Sequence, residues 1–387
     1  KGMTELQRVL TLVGDPNQIN TWSNIPYFLL KAGQIEGFLH GGIPLQPERL
    51  RIQRLLWNGW QQLMTGKHGG FQYSSTFLRS LFSQVELSDE PIEIISHFPL
   101  LPPMPWPSSW HVNYYLDATT RQVFKDYGVA AKVSPRIQKE ALAQEQRNFQ
   151  QCDRIICMSS WAARSVVKDY GIAPNKVHIV PGGANLDEAK LPSQLSSSNT
   201  FLPLHPLRLG FIGKDWQRKG LPYLLQIADE LAQQDLDVEV VVIGPPPYDL
   251  PSHPAIRSLG FINKHTHLAE FVQLVRTFHF GCLFSTAEAF GISNLECLRL
   301  GIPVIASRVG GISATLPEGL GHLFTLGTPP QEVAGTLITY IHDPAKYAAL
   351  RRRVASRAEE FTWKTTVQNL IQLWQGSNDF SYAKLKQ

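Results

Sequence analysis

The chain has 387 residues, 43% of them apolar and 18% charged, a globular balance with enough length for two cores. The 36 Lys and Arg against 32 Asp and Glu leave a net charge of +4. That excess is mild and no basic block carries interleaved aromatics, so nucleic acid is excluded as a partner. Four cysteines without a CxxC pair, no apolar run that could span a bilayer, and a start at Lys1-Gly2-Met3-Thr4 that opens no signal peptide lead to the expectation of a cytoplasmic protein with free thiols.

The first strand is predicted at Arg8 to Val13, ended by Gly14-Asp15-Pro16-Asn17. Asn20, Thr21 and Trp22 then occupy a loop at the carboxyl edge of a sheet, where ligands bind in α/β folds. Ser23 is the expected N-cap of the helix that follows, with Pro26 in its first turn. Pro47 to Met64 reads as a basic amphipathic helix, with Leu50, Leu55, Leu56, Trp57, Trp60 and Leu63 apolar and Arg49, Arg51 and Arg54 cationic. Such a helix either lies on a membrane, which would make the protein peripheral to the inner face, or packs on its own sheet with a solvated basic side. The packed arrangement is preferred.

Strands are predicted at Ile92 to Ser96 and His111 to Leu116, separated by a proline-rich connection that begins at His97. Asp117 follows the second of these, either facing a ligand or capping a helix that starts near Thr120. Cys152 to Ser159 and Lys176 to Val180 are two more strands, with a helix from Ser160 stopped by Gly171 between them. Residues 191–206, with Ser196-Ser-Ser-Asn-Thr200, have linker composition. The expected domains are residues 1–190, joined by a returning helix at 361–387, and residues 207–360.

The second half opens on the strand Leu207 to Ile212, followed by Gly213-Lys214-Asp-Trp-Gln-Arg218-Lys219-Gly220. Three cations at a helix start are unfavourable unless an anion bridges them. Asp237 to Gly244 is a strand. Asp235-Leu-Asp237 spells a metal-binding pattern but lies at the edge where that strand begins, so no metal is expected. Phe280 to Phe284 and Ile302 to Ser307 are apolar runs flanking a loop and a helix, a βαβ unit of a parallel sheet. The backbone amides of Gly291, Ile292, Ser293 and Asn294 at that helix start form an anion site. Glu288 and Glu296 bracket it, and carboxylates accept hydrogen bonds from sugar hydroxyls. A diphosphate held between a sugar and a ribose fits this order of groups.

Glu288-Ala-Phe-Gly-Ile-Ser-Asn-Leu-Glu296 resembles the E-x7-E signature of the retaining GT-B glycosyltransferases of family four. The resemblance implies an α/β fold of GT-B type, two Rossmann-like doubly wound domains facing across a cleft. It implies transfer of a sugar from a nucleotide sugar to a hydroxyl of a glycan, lipid or small molecule, with no cofactor or metal. By the same resemblance Glu288 is catalytic and holds donor-sugar hydroxyls, with Phe290 and Gly291 beside the sugar. Glu296 holds the ribose, while Lys214, Lys219 and, as a further candidate, Arg218 contact the diphosphate. Asp117 maps near the reacting centre. Two departures stand out: Lys214 replaces the usual Arg, and Asn20-Thr21-Trp22 replaces a glycine pair near donor or acceptor. A GT-B phosphorylase, a sugar-nucleotide epimerase and a non-catalytic sugar-nucleotide-binding partner are the alternatives.

Overall fold

The computed structural model describes residues 6–85, 90–192 and 203–384. Its strands form two six-stranded parallel sheets, each in its own unit: residues 1–181 with 366–387, and residues 182–365.

In the first unit the strands are β1 (Gln7–Thr11), β2 (Gly41–Gly42), β3 (Ile92–Ser96), β4 (Trp110–Leu116), β5 (Arg154–Cys157) and β6 (Val177–Ile179), in the order β2-β1-β3-β4-β5-β6. Its helices are α1 (Ile25–Ile35), α2 (Arg51–Thr65), α3 (Ser75–Phe82), α4 (Thr120–Asp126), α5 (Pro135–Gln151) and α6 (Ser160–Tyr170). The inner strands are nearly continuous apolar runs because helices cover both faces of a parallel sheet. Val112, Tyr114 and Leu116 of β4, for example, are buried with Phe149 of α5 and Val166 of α6.

Three expectations change here. Ser23 is not the cap of α1. Trp22, Ser23 and Asn24 run through left-handed backbone with φ of 47°, 55° and 71°. Asn24, a residue that tolerates this region, stands directly before the helix. Asp117 does not cap α4: Thr119 does, in a reciprocal box with Gln122. Most consequentially, the helix expected to pack its apolar side on the sheet turns most of it outward: Leu50, in the turn before α2, is buried and Trp57 half-buried, but Leu55, Leu56, Trp60 and Leu63 are exposed.

In the second unit the strands are β7 (Leu207–Ile212), β8 (Val238–Ile243), β9 (Ile256–Gly260), β10 (Phe280–Leu283), β11 (Val304–Ser307) and β12 (Gly321–Phe324), in the order β12-β11-β10-β7-β8-β9. The helices are α7 (Leu221–Ala232), α8 (Leu268–Val275), α9 (Ile292–Arg299), α10 (Pro330–His342) and α11 (Pro344–Ser356). The strand order reverses between β7 and β10, which pair with Gly210 opposite Gly281.

The chain leaves the first unit at Pro181 rather than within residues 191–206, of which 193–202 lie outside the described residues. The reason is local bonding. The Ala184 N–H donates to Phe361 O at 2.8 Å, the Trp363 indole donates to Asn185 Oδ1 at 2.9 Å, and Arg299 joins Glu188 at 2.6 Å to Glu359 at 3.1 Å. The return passage is at Thr365/Thr366, inside the last helix, α12 (Trp363–Trp374). The Trp374 indole donates to Glu93 Oε1 at 2.7 Å, and Arg8 meets Glu93 Oε2 at 2.7 Å. All four cysteines are free and buried, and burial pushes the Cys152 thiol up to about 12. A thiol held protonated this far above neutrality is no nucleophile.

Candidate active site

The residues singled out in the second half converge on the carboxyl edge of its sheet, at the β7/β10 reversal, where α/β sheets open a crevice for ligands. The loop after β7 and the loop after β10 are laced together. The Thr286 N–H donates to Arg218 O at 2.9 Å, and Arg218 Nη1 donates to Ala287 O at 2.6 Å. Glu288 Oε2 then accepts from Lys219 Nζ at 3.1 Å, Arg218 Nη1 at 3.3 Å and Ser285 Oγ at 3.3 Å. Arg218 and Lys219 against Glu288, and against Asp215, which takes a share of Arg218 at 3.0 Å, leave the side chains of this corner balanced in formal charge.

Gly291 stands before α9 with φ of +96°, a conformation that glycine adopts without a Cβ penalty. It turns the chain so that α9 begins beside the cluster. The N–H of Asn294 folds back to Gly291 O at 3.1 Å. The N–H groups of Ile292 and Ser293 have no acceptor within the helix, and its positive end favours an anion. The side chains of Phe290 and Asn294 are buried, the Asn294 amide donating to Thr315 Oγ1 at 2.9 Å. Phe290 therefore offers a ligand only its backbone, and the Asn294 N–H is already taken by Gly291 O.

Glu296, one turn into α9, is buried and carries Lys264 as its ion-pair partner. Lys264 follows β9, and its ammonium also lies 5.4 Å from the Phe271 ring centroid. Lys214 stands apart from Glu288: its Nζ lies 4.6 Å over the ring of Phe261, beside the end of β9. The fold thus gathers Arg218, Lys219, Glu288 and the α9 amides in one corner, and places Lys214 in another.

Two features of this edge went unread in the sequence. Gly310 and Gly311, after β11, lie so close to the loop that a Cβ on either would sit 1.9 and 1.8 Å from the carbonyl oxygens of Glu288 and Ala289. The Gly311 N–H donates to Glu288 O at 3.1 Å, so the pair fixes the backbone of Glu288. A glycine pair just past a strand end was the available signal. Lys264 gave none, because its partner is 32 positions away.

In the first unit, Asn20, Thr21 and Trp22 follow β1 at the carboxyl edge. The Trp22 indole donates to Val13 O at 2.7 Å, and its ring lies 6.4 Å from His97 and 5.5 Å from Phe98. His97, directly after β3, holds its Nδ1 2.6 Å from Tyr115 O. A carbonyl only accepts, so Nδ1 carries the proton and Nε2 is the basic nitrogen. Asp117 directly follows β4, half-buried. Asp235 and Asp237 lie at the amino end of β8, away from the ligand edge, and Asp237 pairs with His205 at 3.1 Å.

Two doubly wound parallel sheets, one with paired cations and a helix start at its reversal point, define the GT-B type of glycosyltransferase. The sequence profile "Glycosyl transferases group 1" matches residues 206–343, and "Glycosyltransferase Family 4" matches residues 87–188. The chain belongs to this family. It is 26% identical over 277 residues to the D-inositol 3-phosphate glycosyltransferase of Rhodococcus opacus (strain B4), covering 68% of this chain and 62% of that protein. Among solved structures, a sucrose-phosphate synthase from Thermosynechococcus elongatus superposes with a TM-score of 0.61 at 17% identity, covering 95% of this chain and 98% of that one. Anabaena Alr3699/HepE, crystallised with UDP, gives 0.61 at 15% identity, covering 96% and 100%.

Proposed function

We propose that the protein transfers a sugar from a nucleoside-diphosphate sugar to a hydroxyl acceptor, with retention at the anomeric carbon and without a divalent metal. The observation that carries this is the Arg218–Lys219–Glu288 corner beside the start of α9. The cations and the Ile292 and Ser293 amides would take the charge that develops on the leaving diphosphate, which is the largest electrostatic demand of the reaction. Glu288 and Glu296 would take hydroxyls of the sugar and of the ribose. The acceptor oxygen bonds to the anomeric carbon on the face the phosphate leaves. The electrons of the broken C–O bond pass to the phosphate oxygen, which receives the acceptor's proton. Relatives named for glycosyl transfer and a neighbour crystallised with UDP support a uridine donor as the first to try.

The test is a panel of radiolabelled nucleoside-diphosphate sugars scored for hydrolysis and for transfer to glycan, lipid and small-molecule acceptors, with and without EDTA. Turnover of at least one donor, unchanged by EDTA, is expected. Lys219→Met should weaken nucleoside diphosphate binding about 10- to 100-fold, the worth of one charge-assisted hydrogen bond. Binding without any turnover would make the protein a sugar-nucleotide-binding partner. Loss of activity in EDTA with rescue by manganese would refute the metal-free mechanism.

A further inference from the structure

α2 sits with its polar side inward. Its half-buried residues are Trp57, Asn58 and Gln61, with the Trp57 ring 5.5 Å from Phe71. On the opposite side Ile52, Leu55, Leu56, Trp60, Leu63 and Met64 are 59–80% exposed. The spacing of these six, i, i+3, i+4, i+8, i+11 and i+12, is one continuous stripe along the helix, about 18 Å long at 1.5 Å per residue. An apolar stripe of this size facing water marks an interaction surface.

Charge selects the occupant. From Arg49 to His68 the sequence holds no acidic residue. Arg49, Arg51 and Arg54 stand at the start of the helix, and no ion pair engages them among the described residues. A second copy laid face to face offers these arginines no carboxylate in either direction: parallel, it sets them against their own kind, and antiparallel, against the Lys67-His68 end. A bilayer with anionic headgroups meets both demands at once. Its phosphates face Arg49 and Arg51 at the edge of the stripe, its acyl boundary takes the aliphatic side chains, and Trp60, apolar with one polar N–H, suits the interface between them. We propose that α2 docks the protein on an anionic phospholipid bilayer, lying in the plane of the interface with the Ile52–Met64 stripe toward the acyl chains. The inference stands on α2 alone and does not depend on the donor chemistry.

The test uses the full chain with vesicles of phosphatidylcholine alone and of an equal mixture with phosphatidylglycerol. Sedimentation with the mixed vesicles and not with the neutral ones is expected, along with a blue shift in emission that disappears in Trp60→Phe. Arg51→Ala should lower partitioning about fivefold, the surface contribution of one basic residue, and Arg54→Ala, on the side away from the stripe, should lower it less. Leu56→Glu with Leu63→Glu should abolish partitioning while leaving the far-UV spectrum and Tm of the lipid-free protein unchanged; if that pair disturbs folding, Leu63→Gln carries the same expectation in weaker form. Equal partitioning to neutral vesicles, or none to either, overturns the proposal. So does a lipid-free dimer that Leu56→Glu dissociates, since that would give the stripe to a second copy.

Discussion

Glu288→Gln should tighten the binding of a nucleoside diphosphate while it lowers turnover, and the geometry gives the size of the effect. Glu288 Oε2 already occupies one hydrogen of the Lys219 ammonium at 3.1 Å. A phosphate oxygen taking a second hydrogen of the same tetrahedral nitrogen would lie about 5 Å from that carboxylate oxygen. Two negative charges at this separation repel by about 3 kcal/mol at an effective dielectric of 20. The cations between them remain, and glutamine holds those cations less firmly than glutamate does, so part of the repulsion is all that is relieved. About half of it is about 1.5 kcal/mol, a fall in Kd of roughly tenfold. The chemical step should suffer in the same variant, because a neutral amide holds a donor hydroxyl more weakly than a carboxylate does. Calorimetry with UDP measures the first effect and single-turnover transfer the second. A Kd that rises tenfold would refute the reasoning, since it would mean that Glu288 supports the diphosphate rather than competing with it.

Two further predictions follow from buried carboxylates. Glu296→Gln and Lys264→Met should each destabilise the second unit. The double variant should be less destabilised than the two effects added together, by roughly 0.5–3 kcal/mol in urea unfolding, as for groups in direct contact; strict additivity would mean that the ion pair is incidental. Glu145, buried and accepting from the Thr120 N–H at 2.8 Å and from the Tyr170 hydroxyl, is pushed up from its ordinary value of 4.5 to about 7, chiefly by burial, with those hydrogen bonds pulling the other way. Below pH 4.5 it is protonated whether folded or not. Above that, unfolding releases a proton, so stability falls as pH rises towards 7, by about 3 kcal/mol in all. Glu145→Gln should flatten this slope in urea titrations from pH 4.5 to 8, and an unchanged slope would place the titrating group elsewhere.

The parts of the candidate site that could be read in advance are local in sequence. Phe280 to Ser307 shows its strand, glycine, helix and strand in order, because a parallel strand buried on both faces is one apolar run and Gly291 and Gly301 punctuate it. The two glutamates share that segment, and Lys219 is marked by an otherwise unfavourable place at a helix start. What stayed hidden depends on tertiary placement. Periodicity showed that α2 is amphipathic but not which side faces in, since a hydrophobic stripe carries no direction. Ser23 is an ordinary cap by composition, and only the left-handed run from Trp22 to Asn24 moves the helix start past it. Lys264 joins Glu296 through the packing of β9 against the rest of its sheet, and the unit boundary at Pro181 is set by bonds to residues near 361, far along the chain.

The second unit is one uninterrupted segment, 182–365, whereas the first is completed only by residues beyond 366. The order of synthesis is therefore not the order of completion. At about 10 residues per second, the ribosome needs roughly 20 s to travel from Pro181 to Trp374. Throughout that interval Glu93 has Arg8 and Asn113 as partners but lacks the indole that closes its cage in the finished protein. The whole of the second unit is synthesised meanwhile. The first unit is the earlier to begin and the later to finish, and the last helix acts as its latch.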